Sequence, residues 1–122
     1  MRRALNVKAA VAALATVSTI GVAQAQNNYS TTFVGITSLV FYSAADNIYP
    51  LYAGATVVNF GTPVVWAFGS ACATGAVAIR GGDKSLMTAV ETAQATGRPI
   101  QVFVDDSQTV DGVVCWLRAV AM

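Results

Sequence analysis

Three carboxylates, Asp105, Asp106 and Asp111, fall within seven residues. Carboxylates this close can exchange protons with a substrate or hold a weakly bound Ca²⁺. Their spacing does not fit an EF-hand loop, and Asp111-Gly112 has the chemistry of a turn tip, so a solvated turn is the expected reading. No histidine occurs anywhere in the chain. That removes the Ser-His-Asp and Cys-His nucleophilic schemes and the usual zinc sites. Gly81-Gly82 is not followed by Gly-Lys-Ser/Thr, so no phosphate cradle is expected there. Cys72 and Cys115 are the two cysteines, and a bridge between them would leave no thiolate nucleophile. These residue types argue against an enzyme and call for no cofactor or metal.

What remains is binding chemistry. Tyr49 and Tyr52 lie on either side of Pro50, near an expected loop. Aromatic rings stack on the apolar faces of sugars, and these two are the best candidates for an exposed platform. Packing is the competing role for any aromatic, and Trp66, Phe68 and Trp116 are expected inside. Arg118 stands among apolar neighbours, which fits either an interface or a guanidinium reaching to water over an apolar stem.

The 122-residue length predicts one domain. Its first 25 residues read as a secretory signal peptide. Arg2, Arg3 and Lys8 make a positive start, Ala9 to Val22 an apolar stretch, and Ala23-Gln24-Ala25 a cleavage pattern. A membrane anchor is the rival reading, but the apolar run is short of the ~20 residues that span a bilayer. No membrane span is therefore expected after cleavage, and the expected location is periplasmic or secreted. The remaining 97 residues, 26–122, carry four basic and six acidic side chains, hence a net charge of −2. Nucleic acid is not an expected partner, because phosphate binding needs clustered Lys and Arg.

Export places both cysteines in an oxidising compartment, where a lone pair usually forms a disulfide; buried thiols are the alternative. A bridge over 43 residues would add roughly 4 kcal/mol to a domain too small to bury much surface.

The elements that must position these groups are mostly strands. Residues 29–42 predict a long strand interrupted by Gly35, where a bend or bulge is expected. Residues 43–47 predict a turn, 48–52 a short strand broken or edged by Pro50, and 55–60 a further strand. Residues 64–68 and 76–80 read as a strand pair. Asp83 is placed to cap a helix carrying Leu86, Met87, Val90 and Ala93 on one face; Gly97 closes it and Pro99 prevents continuation. Residues 100–104 alternate as a strand, "DDSQTVDG" reads as a polar turn, and 113–120 is the last strand. Apolar residues on both faces of the first and last strands predict subunit contacts, and hence a homo-oligomer.

A sheet of about five strands can curl to remove its edges, and a ~20 Å helix is long enough to cover one end. The expected fold is thus mainly β with one α-helix, a small OB-fold-like five-stranded barrel capped by that helix. An α+β sandwich, with the helix flat on an open sheet, is the competing architecture.

"GRPIQVFV" (97–104) after an amphipathic helix, with Thr96-Gly97 and Pro99 in order, resembles the B subunits of secreted bacterial toxins of the pertussis and subtilase cytotoxin type. "NYS" (28–30) resembles the start of the first strand in that group, and "CWLRAVAM" (115–122) is similar to the end of cholera-type B subunits. The resemblance implies an OB-fold, a pentameric ring, a catalytic A subunit as partner and recognition of cell-surface glycan. It assigns Ser30 to contact with sialic acid. Val104 stands where those subunits carry a sugar-contacting tyrosine, and Cys115 lies in the last strand rather than an early one. Small exported bacterial proteins with the same fold and no toxin role fit the same residues.

The leading expectation is therefore an exported, non-catalytic binding module for glycan or a surface receptor, with Ser30, Tyr49 and Tyr52 as ligand contacts. The alternative is a structural or inhibitor protein that binds another protein through a strand edge.

Overall fold

The structure is a computed structural model that describes residues 27–122. The segment read as a signal peptide, 1–25, lies outside the described residues. Six strands and one long helix follow in the order β1 (Asn27–Tyr29), β2 (Ile36–Phe41), β3 (Thr56–Phe60), β4 (Ala76–Ile79), α1 (Lys84–Thr96), β5 (Gln101–Thr109) and β6 (Cys115–Ala121). The strands form one sheet in the order β1-β5-β6-β4-β3-β2, antiparallel except for the parallel β4–β6 pair.

Among the described residues the fold is mainly β with one α-helix. The predicted first strand is divided. Its early part, β1, pairs with β5, and its later part, β2, pairs with β3 at the opposite end of the sheet. Both ends of the sheet therefore come from one chain segment. Across residues 30–35 the pairing with β5 continues only through Ser30, bonded to Val102, and the isolated bridge Val34↔Ile100, so the sheet is curled back toward itself without a β1–β2 ladder closing it.

The helix does what its apolar stripe predicts. Val90 and Ala93 are fully buried in the core with Val58, Val77, Ile79, Ile100, Val102, Val104 and Leu117, and Leu86 and Met87 pack against them. The helix lies against β2 and β6. The Asp83 carboxylate accepts the Leu86 amide at its start. Gly97, at φ 67°, ends it in a left-handed turn that a side chain would strain. No helix among the described residues is long and apolar enough to cross a membrane.

Two β-bulges explain why the first and last strands carried apolar groups on both faces. Ile36 pairs with Phe60 and Ser38 with Asn59, which leaves Thr37 unmatched. Phe103 pairs with Ala119 and Val104 with Leu117, which leaves Arg118 unmatched. Each extra residue inverts the alternation beyond it. Ile36 and Leu39 thus both meet the core, as do Cys115, Leu117 and Val120. Much of the apolar surplus is therefore internal, although Phe33, Val40, Phe41, Val65 and Phe68 remain exposed.

Three predicted elements differ. Residues 48–52 hold a single 3₁₀ turn, Pro50–Tyr52, instead of a strand, because Pro50 suits a first helical position and cannot donate to a ladder. Residues 64–68 make only the bridge Ser30↔Trp66, running beside β1 with Thr31 N–H donating to Val65 O and Ala67 N–H to Tyr29 O. The strand β5 runs through 105–109, where a polar turn was predicted, and the turn falls at 110–114.

Cys72 and Cys115 are bridged, with Cα atoms 5.4 Å apart and both sulfurs in the core. The bond ties the loop before β4 to the first residue of β6. Its presence accords with an oxidising environment.

Candidate functional site

The loop from Ser43 to Ala55, between β2 and β3, is held from within. Ser43 O accepts the amides of Asp46 and Gly54, and the Tyr42 amide donates to Ala55 O. Asp46 Oδ1 accepts the amides of Ile48 and Tyr49 at 3.0 and 2.7 Å, an Asx-type turn that delivers the chain into the 3₁₀ turn. The base of the loop sits against the glycines that precede α1. A Cβ at Gly81 would stand 2.8 Å from Gly54 O, so no larger residue fits there without moving the loop.

That scaffold gathers three tyrosines. Tyr42 and Tyr52 stack with ring centroids 5.1 Å apart, and Tyr49 meets Tyr42 edge-on at 6.3 Å. Ile48, Tyr49 and Leu51 are 76%, 59% and 65% exposed, which is unusual for neighbouring apolar side chains in a small domain. They surround a recess of about 310 Å³ lined by Ile48, Tyr49, Pro50, Leu51, Tyr52 and Asp111. An apolar concavity with one fixed polar group is the usual form of a small-ligand site.

Asp111 supplies that polar group from the β5–β6 turn. Its Oδ2 accepts the Tyr52 hydroxyl at 2.6 Å, while Oδ1 accepts the amides of Val113 and Val114. One carboxylate thus locks its own turn and joins it to the loop from the other side of the sheet. Partial burial, with the hydrogen bond to Asp111, pushes the Tyr52 phenol up to about 12. The Tyr52 hydroxyl and the turn amides hold Asp111 below its ordinary value of 3.8. The raised phenol contributes stability below pH ~10 that is lost as pH climbs through its folded value. The lowered carboxylate contributes stability above pH ~4 that is lost as pH falls below that. Phenolate absorbance should therefore show one tyrosine titrating about two units above the usual value. In D111N that tyrosine should fall part of the way back, keeping the share of the rise that burial causes. An unchanged titration in D111N would show that the two side chains are not coupled.

The predicted contacts divide. Tyr49 and Tyr52 are brought together. Ser30 is elsewhere and fully buried: its hydroxyl accepts the Val102 amide at 3.0 Å, its own amide donates to Val102 O, and Gln101 Nε2 donates to its carbonyl. Ser30 acts in this structure as part of the β5 ladder. Its neighbour Asn28 is equally buried and clasps the 66–68 segment, donating to Phe68 O and accepting the Phe68 amide.

Tyr42 is a member that the residue pattern did not single out, and Asp111 was weighed there only as an acid–base or Ca²⁺ carboxylate and read as a turn residue. Tyr42 closes a run of strand-forming residues, and Asp111 looks like any turn aspartate. One signal was present: Tyr42 and Tyr52 bracket a Ser/Ala/Asp/Asn/Pro-rich loop, an arrangement that brings loop ends together. Against models of known protein families, curated proteins and solved structures, the chain shows no match.

Proposed function

We propose that the chain is an exported, non-catalytic binding module whose Tyr49–Tyr52–Asp111 recess, backed by Tyr42, receives a sugar of a cell-surface glycan. The observation that carries this is the exposed Tyr49 ring, backed by half-buried Tyr42 and Tyr52 on a hydrogen-bonded loop, with a fixed carboxylate at its rim. The exposed ring takes the C–H face of a pyranose, and the carboxylate accepts hydroxyls. Preorganisation by Asp46, Ser43 and Asp111 lowers the ordering cost that binding otherwise carries. In OB-like folds the loops between the first two and the last two strands are a common place for oligosaccharide to bind; with β1 and β2 counted as one divided first strand, the loops that carry Tyr49 and Asp111 hold those positions here. The lack of histidine, and the bonding of both cysteines to each other, support a role without covalent or acid–base catalysis. Exposed Phe33, Phe41, Val65 and Phe68 support self-association into an oligomer, the form in which a weak single-sugar site gains avidity. A catalytic A subunit would be a further partner of such an oligomer.

A glycan array with residues 26–122 tests the reading. At least one glycan class should bind, and Y49A should weaken it about tenfold, near 1.4 kcal/mol. S30A should act only through stability, since its hydroxyl faces Val102. Binding to no glycan would remove the proposal. It would favour protein recognition at β2 instead, which ends the sheet with Val40 and Phe41 exposed.

A further inference from the structure

The β5–β6 ladder is irregular on both sides of one residue. Before Trp116, Thr109 pairs with Cys115; after it, Val104 pairs with Leu117. Four residues of β5, 105–108, thus stand opposite Trp116 alone. Immediately beyond, Arg118 is the unmatched residue of the bulge between the Phe103↔Ala119 and Val104↔Leu117 pairs. Bulges of this kind re-aim side chains and open a ladder. The result is a recess of about 190 Å³ on the outer side of the sheet, lined by Arg80, Asp105, Gln108, Trp116, Leu117 and Arg118.

Its chemistry differs from that of the tyrosine recess. In the parallel β4–β6 pair Ala78 is the partner of Trp116, so Arg118 in β6 and Arg80, just past the end of β4, each follow two residues on. The Arg80 guanidinium lies over the Trp116 ring, 4.5 Å from its centroid. Stacking engages the face of the guanidinium and leaves its edge N–H groups for hydrogen bonding. Arg118 donates to Asn27 Oδ1 on β1, which fixes its direction. Asp105 accepts the amide and hydroxyl of Ser107, and so presents a carboxylate already turned toward that residue. Two guanidiniums against one carboxylate make this spot cationic, in a segment whose net charge is −2.

We propose that the Arg80–Trp116–Arg118 recess is a carboxylate-binding site, and that the sugars recognised by this protein are acidic, of the uronic-acid class. The inference deepens the glycan reading and rests on it. The two guanidiniums take the sugar carboxylate through charge-assisted hydrogen bonds. Gln108 and Asp105 supply a neutral and an anionic partner for ring hydroxyls, and the ladder opening gives the sugar room beside Trp116.

Calorimetric titration of residues 26–122 with an oligogalacturonate and with its fully methyl-esterified form tests this, because the pair differs in charge and little else. The free acid should bind at least tenfold tighter, with the difference shrinking as salt rises. R80Q and R118Q should each bring the acid down to the affinity of the ester; R80K, which keeps the charge but loses the stacked fork, should recover only part of it. Both arginines are exposed, and thermal melts of the variants confirm folding. Equal affinity of acid and ester in the wild type would overturn the proposal while leaving the tyrosine recess untouched. An acid preference that survives in both glutamine variants would overturn it as well. Failure of both forms to bind, when the array identifies other glycans, also overturns this site alone, whereas an empty array removes the glycan reading itself.

Discussion

Reduction of the Cys72–Cys115 bridge is expected to lower the unfolding free energy by about 4 kcal/mol, the loop-entropy value for a closure of this length. The bridge spans 43 residues, nearly half of the described chain, and that span includes β4, α1 and β5. Without it the loop from 61 to 75 would be held mainly by single backbone bonds such as Ala73 N–H to Val113 O and Val64 N–H to Thr74 O. In a domain of this size such a loss corresponds to a fall in Tm of about 20 °C. Urea melts with and without reductant, and of C72A/C115A, measure it. A change below about 1 kcal/mol would show that the loop is fixed by packing alone.

The second large effect concerns the helix. Val90 is fully buried at the centre of the α1 stripe, among Val58, Ile79 and Ile100. V90D would bury a carboxylate with no partner there, and is expected to cost about 4 kcal/mol or more, enough to unfold much of the population. E91A, one residue along on the exposed face, should change stability by less than about 0.5 kcal/mol. Denaturant midpoints for both variants separate a helix that completes the core from one that rests on it. Similar midpoints for V90D and wild type would contradict the packing described here.

The sequence announced its helix most clearly, since four signals agreed: the Asp83 cap, the Leu86–Met87–Val90–Ala93 stripe, Gly97 and Pro99. The disulfide was legible from number and compartment. Strand positions were legible where alternation is regular, as in 100–104, and misleading where one residue slips. Thr37 and Arg118 carry no composition cue for a bulge, yet each turns a strand over and moves apolar side chains from one face to the other. The apolar surplus that looked like subunit surface was in part this face exchange. Pro50 was correctly seen as a break, but a break in a strand and the start of a 3₁₀ turn look alike in sequence. At the recess, Tyr49 and Tyr52 could be picked out because they flank a proline in a loop. Asp111 was visible only as a turn carboxylate; its pairing with Tyr52 was not legible, because the partner is 59 residues away and only the folded sheet brings the two turns together. Ser30 shows the converse: a residue singled out by resemblance has its hydroxyl committed to the backbone of β5.

A bound sugar should engage the tyrosine loop and the Asp111 turn together, as one site. Backbone amide chemical shifts recorded while a glycan identified on the array is added test it most directly. The largest perturbations should cluster at residues 48–52 and 110–113, and should need about tenfold more glycan in Y49A. Perturbations confined to other parts of the sheet, with residues 48–52 unmoved at saturation, would contradict it.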